Sequence, residues 1–244
     1  MRKVATYDYK VQPMDVDFNG AIRFTQMGGY LLHAAGENAK ENGFGINVLH
    51  DQKLAWVLSR LSIEMYRYPK AEEFFQLETW IEDFGRVFTT RNFKILDASG
   101  ILIGAASSSW CMLDMKVRKA VDLNIKGEYA VFATGIPSLI EKPFKLGGVS
   151  GTSVSRHRIK YSDIDFNHHT NSMKYLEWMM DLSPLEFFLN QKIKRIDINY
   201  INEALFGEVV EIYQDNTLPN RSLFDLRRGE EMICRAQVLF ENDI

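Results

Sequence analysis

Cysteine is scarce in this chain: two residues in 244, Cys111 and Cys234, far apart and outside any Cys-x-x-Cys spacing. That excludes a disulfide scaffold and fits two reduced thiols in the cytoplasm, the expected location. Long apolar runs are missing as well. No stretch of about 18 apolar residues occurs, so no membrane span is expected. The opening residues, MRKVATYDYKVQP, alternate and lack the apolar stretch of a signal peptide. A surplus of positive charge is also absent. The formal net charge of −3 argues against nucleic-acid binding, which needs a basic face to neutralise phosphate. The five histidines show no His-x-His or His-x-x-x-His spacing. A metal site built from His157, His168, His169 and Asp165 is therefore not expected, because adjacent histidines diverge on a regular element.

What the chain does contain is a repeat. Asp-Val-Asp-Phe-Asn begins at Asp15 and Asp-Ile-Asp-Phe-Asn at Asp163, 148 positions later. Self-similarity of this kind marks a duplicated structural unit. The first copy continues Gly20-Ala21-Ile22, the second His168-His169-Thr170-Asn171. Asp15, Asp17, Asn19 and Gly20 also read as the start of a calcium-binding loop. That loop closes with a bidentate Glu at its twelfth position; here Gln26 and Lys174 stand there, and His168 replaces the turn glycine of the second copy. Calcium binding is not expected.

Each copy follows an alternating segment and precedes an apolar helical one, FTQMGGYLLHAAGENAKENG in the first half and NSMKYLEWMMD in the second. Each half then runs through four segments with strand alternation, among them AWVLSRLSIEMYRY and IKRIDINYI. Shifts of 148, about 135 and about 130 bring the two series into register. Each half is thus a strand, a central helix and four antiparallel strands. A helix apolar on most sides is a buried one, and a curved antiparallel sheet can wrap it. The expected class is α+β, a tandem (double) hotdog. Residues 1–125 form the first hotdog and 151–244 the second. The Pro- and Gly-bearing segment 126–150 reads as the crossover between them.

The second copy places Asp165, Asn167 and His169 at alternate positions. In an extended or turning segment such side chains point one way, here towards the start of a helix. Helix N-termini offer unpaired N–H groups suited to a developing oxyanion. Asp17 and Asn19 persist in the first copy, but Ala21 takes the histidine position. Only the second half is expected to be chemically active.

These residues resemble the acyl-[acyl-carrier-protein] thioesterases, a family of plant plastids and bacteria built from two hotdog domains. DIDFNHHTNSMKYLEW is similar to that family's signature, and INYINEALFGEVV to the stretch that holds its remaining carboxylate. The likeness spans nearly the whole chain. It implies hydrolysis of fatty acyl thioesters on acyl carrier protein, with Asp165, Asn167, His169 and Glu203 as the catalytic set. Where plant members carry a cysteine after this Glu, the chain has Ala204. No metal or organic cofactor is implied, since a thioester carbonyl is already activated. The expected division of labour gives Asp165 or Glu203 the water, or a direct attack, and His169 the proton relay. Asn167 holds the thioester oxygen or a neighbouring carboxylate, and the N–H groups near His168 to Thr170 form the oxyanion hole. The first half is then free to bind the acyl chain, through Met27, Tyr30, Leu31, Trp56, Leu58 and Met65. Arg156, Arg158 and Lys160, with Lys194 and Arg195, are the expected docking residues for the acidic carrier. An acyl-coenzyme A thioesterase and a non-catalytic acyl-binding protein are the alternatives, and the chain is a monomer or a homodimer.

Overall fold

The computed structural model describes residues 2–124 and 127–242. Residues 125 and 126, at the expected junction of first domain and crossover, lie outside the described residues. The chain divides into two compact units, Met1–Pro143 and Phe144–Ile244.

The first unit contains β1 (Val4–Lys10), α1 (Phe24–Glu41), α2 (Ile46–Asp51), β2 (Leu54–Met65), β3 (Phe74–Phe84), β4 (Phe88–Asp97), β5 (Leu102–Asp114) and β6 (Lys119–Ala120). Its sheet runs β1-β3-β4-β5-β2, with β6 against β5, and every pairing is antiparallel. Helix α1 buries Phe24, Met27, Leu31, Ala34 and Ala35, a stripe at helical spacing that packs on the sheet. Short α2 was not foreseen from sequence; only Leu49 of its residues is buried.

The second unit contains β7 (Ser155–Arg158), α3 (Ser172–Met180), α4 (Leu185–Asn190), β8 (Gln191–Tyr200), β9 (Val209–Leu218), β10 (Arg221–Arg228) and β11 (Glu231–Asn242). The sheet order is β8-β11-β10-β9-β7, again antiparallel. Helix α3 has half the length of α1 but buries Met173, Tyr175, Leu176, Trp178 and Met179. Each unit is a strand, a helix and four antiparallel strands, the hotdog arrangement. Among the described residues no helix is long and apolar enough to cross a membrane.

The duplication extends to individual hydrogen bonds. The Val16–Ile22 bridge recurs as Ile164–Thr170. Ile22 N–H donates to the Pro69 carbonyl at 3.0 Å, as Thr170 N–H does to Ala204 at 3.0 Å. Arg23 N–H meets the Asp15 carbonyl at 2.9 Å, and Asn171 N–H meets Asp163 at 2.8 Å. Tyr66 and Arg67 both donate to the Ile103 carbonyl, and Ile201 and Asn202 both donate to Ile233. These pairs fix the equivalences used below: Ala21 with His169, and Tyr68 with Glu203.

The segment read as a crossover is fastened by side chains on either side of the unit boundary. In the first unit, Trp80 Nε1 donates to the Ile136 carbonyl at 2.8 Å, and Lys142 meets Glu82 at 2.6 Å. In the second, the Asn199 amide brackets Phe144 and Leu146, and Val149 N–H donates to the Asp225 carboxylate at 3.1 Å. Asp225 is fully buried and is itself held by Arg227 at 2.7 Å and Arg235 at 3.0 Å. A buried carboxylate persists where such donors replace its lost water.

Candidate active site

The second copy of the repeat is a tight turn hung between two anchors. On one side Asp163 is 4% exposed, and its Oδ2 accepts from Lys160 N–H at 2.8 Å and meets His157 Nε2 at 2.8 Å. On the other, the Thr170 hydroxyl donates to the Ala204 carbonyl at 2.8 Å, and the buried Tyr175 hydroxyl lies beside the Thr170 side chain and the Ala204 backbone. Asn171 then caps α3, its side chain accepting from Met173 N–H at 2.8 Å.

Within the turn, Asp165 N–H donates to the His169 carbonyl at 2.9 Å, and His168 N–H returns to the Asp165 carbonyl at 3.1 Å. The Asp165 carboxylate bends inward, with Oδ1 accepting from Asn167 N–H at 2.8 Å and His169 N–H at 3.4 Å. Such self-bonding is what aspartate does in turns. Asp17 repeats it in the first copy, accepting from Asn19 at 2.8 Å and Ala21 at 3.2 Å. Closing the turn requires a left-handed residue. Gly20 supplies it at φ +72° in the first copy, and His168 adopts φ +64° in the second.

His169 Nε2 lies 3.4 Å from Glu203 Oε2, and both side chains are about one-third exposed. Asp165 is half-buried in the same turn, and its Oδ2 makes no hydrogen bond among the described residues. Asn167 is exposed at the tip, its side-chain amide likewise without a partner among the described residues. The structure thus joins His169 to Glu203, with Asp165 in the turn that carries His169. Three side chains facing one way does not describe this loop. The turn is bent, not extended, and it aims part of Asp165 at its own amides.

The expected oxyanion donors need the same correction. The His168 and Thr170 N–H groups are committed to the Asp165 and Ala204 carbonyls, and that of His169 leans on Asp165 Oδ1. The three expected backbone donors are thus engaged within the fold, whereas the Asn167 side-chain amide in the same turn is uncommitted among the described residues.

The expected docking residues separate in the same manner. Arg156 and Arg158 on β7, and Lys160 just beyond it, are exposed. Arg156 pairs with Glu211 at 2.6 Å, and Arg158 donates to the Gly207 carbonyl at 2.9 Å. Lys194 lies 3.5 Å from Glu241. Arg195 leaves the set: it is 7% exposed and clasps the buried Asp197 through Nε and Nη2, the latter at 2.8 Å. The expected chain-binding residues also divide. Met27, Leu31 and Met65 are fully buried in the core of the first unit. The Tyr30 hydroxyl donates to buried Asp15 at 2.7 Å, which ties it to the first-copy turn. Trp56 and Leu58 are half-buried, and Trp56 packs on an apolar cluster around Phe44, Met112 and Tyr129. An open cleft of about 310 Å³ in the second unit is lined by Leu182, Phe187, Leu218, Arg221 and Phe240, and none of the predicted residues borders it.

Sequence reasoning assigned no role to the side chains of Asp163, Thr170 or Tyr175, which hold the turn in place. Asp163 carried a signal, since it aligns with Asp15. Burial works to raise its carboxyl, but hydrogen bonds from His157 and Lys160 N–H, with the charges of His157 and Lys174, hold it below the usual carboxylate range.

The chain has relatives of known name. The acyl-ACP thioesterase N-terminal domain matches residues 2–129 and the acyl-ACP thioesterase C-terminal domain residues 149–242. An oleoyl-acyl carrier protein thioesterase from Arabidopsis thaliana is 26% identical over 86% of this chain and 62% of its own. One from Coriandrum sativum is 27% identical over 82% and 59%. The chain thus spans about six-tenths of these plant relatives. The crystal structure of an acyl-ACP thioesterase from Bacteroides thetaiotaomicron superposes with a TM-score of 0.92 at 37% identity, covering 98% of both chains. A 12:0-ACP thioesterase from Umbellularia californica shares the fold, with a TM-score of 0.84 at 19% identity over 98% of each. With the turn, its partner carboxylate and these likenesses in view, the chain belongs to the acyl-ACP thioesterase family.

Proposed function

We propose that the chain hydrolyses the thioester joining a fatty acyl group to the phosphopantetheine arm of acyl carrier protein. The observation that carries this reading is the 3.4 Å approach of His169 to Glu203 beside Asp165, where the first unit has Ala21 and Tyr68. Chemistry belongs to the second unit, and acyl-chain binding to the first, with Trp56 and Leu58 at its partly open surface. The cytoplasm is the proposed compartment, consistent with two cysteines that remain free.

In this mechanism Glu203 or the open Oδ2 of Asp165 accepts a proton from water as its oxygen attacks the carbonyl carbon. The Asn167 amide donates to the carbonyl oxygen as it gains charge. On collapse the C–S bond breaks, and His169 passes to the departing thiolate the proton that the carboxylate took from water. The products are a fatty acid and the carrier thiol, with no cofactor consumed. Arg158 and Lys160 face the acidic carrier on approach, so Lys160→Glu raises KM for the carrier substrate while kcat stays within about twofold.

Thiol release from acyl-carrier substrates of graded length, with matched coenzyme A thioesters, tests the reading. Glu203→Gln and His169→Ala should each lose at least about a hundredfold in turnover. Release only from coenzyme A would change the donor, and release from neither would leave an acyl-binding protein.

A further inference from the structure

His157 stands in β7, outside the turn, and the reaction just described gives it no role. Its surroundings are unusual for a bystander. Nε2 lies 2.8 Å from the Oδ2 of Asp163, and the ring stacks on Trp178 of α3 at 4.0 Å between centroids and 25° between planes. The Asp163 carboxylate is nine-tenths buried and held in its ionised, accept-only form. His157 Nε2 must therefore carry the proton in this bond, whether Nδ1 is protonated or not.

Asp163 is the root of the active turn. Its carboxylate takes Lys160 N–H, and its carbonyl takes the N–H of Asn171, the cap of α3. Two residues on is Asp165; two residues before Asn171 is His169. The first unit shows the same device with a different donor. There Asp15 takes Gln12 N–H at 2.8 Å and the Tyr30 hydroxyl at 2.7 Å, and its carbonyl takes Arg23 N–H. Tyr30 is the α1 residue that aligns with Trp178, and Tyr9 of β1 aligns with His157. The buried carboxylate is thus satisfied from the helix in the inactive copy. In the second copy it is satisfied from the strand, and the helix supplies a flat indole that fixes the imidazole plane.

We infer that His157 is a positioning residue for the active turn: through the buried Asp163 it sets where Asp165 and His169 stand, with Trp178 holding the ring in place. This rests on the proposed hydrolysis for its kinetic consequence, though not for its structural one. Losing the Nε2–H leaves a buried carboxylate short of a donor, and the turn rooted on it loosens. Substrate is not touched, so KM is spared and kcat is not.

The test uses three variants of the full chain. His157→Phe keeps the stacked ring and removes the donor. His157→Gln places an amide N–H near the position of Nε2, and His157→Asn falls short of it. Hydrogen exchange of residues 163–171 is measured beside kcat and KM, normalised to folded protein. Phe and Asn should each lower kcat at least tenfold with KM within threefold, and speed exchange of the Asp165, His169 and Asn171 amides. Gln should restore both to within threefold of the native chain. Unchanged exchange and kcat in the Phe variant, or a Gln variant as impaired as Phe, would overturn the inference. Should Phe fail to fold, the Gln-against-Asn contrast decides alone. If the native chain releases no thiol from any thioester, the proposed function falls, and exchange still decides the role of His157.

Discussion

Asp165 holds its turn in this structure and takes a proton in the proposed reaction, and the duplication supplies the control that separates the two roles. Asp165→Ala removes a carboxylate that accepts two turn amides, and Asp17→Ala removes the corresponding pair of bonds in the first copy. One bond in each pair is short and one is long, so the structural loss is about 1–2 kcal/mol in either variant. For a chain of this size that lowers Tm by about 2–8 °C. The two alanine variants should therefore melt within about 2 °C of each other. Their activities should part company. Asp17→Ala should keep full turnover per folded molecule, whereas Asp165→Ala should lose at least about a hundredfold. Asp165→Asn completes the set. Its amide oxygen keeps the acceptor for both turn N–H groups, so Tm should stay within about 2 °C of native, yet no carboxylate remains. Calorimetric melting and thiol-release kinetics on the same preparations provide both readouts. Native turnover in Asp165→Asn would refute a chemical role for this carboxylate and leave it a turn residue, as Asp17 is. A loss of turnover in Asp17→Ala equal to that of Asp165→Ala would refute the assignment of chemistry to one copy.

Three further outcomes follow from particular contacts. Asp163 is ionised further into acid when folded than when unfolded. Its stabilisation is complete above the unfolded value near ~4 and fades as pH falls through the lower folded one. Tm should therefore drop more steeply below about pH 5 in the native chain than in Asp163→Asn; parallel slopes would contradict the assignment. His168 holds φ +64° where the first copy has glycine. His168→Gly relieves about 1 kcal/mol of strain against about 0.5 kcal/mol of unfolded-chain entropy. Its Tm should rise by about 1–2 °C, and a fall of that size would mean the imidazole makes stabilising contacts of its own. Arg195→Ala removes the guanidinium that pairs with buried Asp197, to which the Gln237 amide also donates at 3.3 Å, and should cost about 3 kcal/mol. That is measurable as a shifted urea midpoint; an unchanged midpoint would show the pair to be dispensable.

The fold was legible because the chain states it twice. Alternation in β1 and β7, apolar stripes in α1 and α3, and the same order of elements in both copies all agree, and agreement across levels is what specifies a structure. The site was legible as a set of residue types and much less so as geometry. Alternate spacing implies a shared direction only in extended backbone, and Asp165 folds the segment back by bonding its own amides. Arg195 was misread for a related reason. Strand β8 is buried on both faces from Arg195 to Asn199, so charge on it signals an internal pair rather than a solvated edge. The crossover looked like a linker from its prolines and glycines, because its anchors, Trp80, Asn199 and Asp225, are distant in sequence.

The matching bonds around Ala21 and Tyr68 give the first unit a use beyond the chain binding proposed for it. Its backbone already holds a turn, a facing carbonyl and an aspartate like those at the candidate site of the second unit. Ala21→His and Tyr68→Glu are the two side-chain changes that separate it from the set at Asp165, Asn167, His169 and Glu203. The duplicated chain is in this sense an unspent template. A second site of the proposed kind would need side chains rather than new backbone, and every change made there has its counterpart in the same chain for reference.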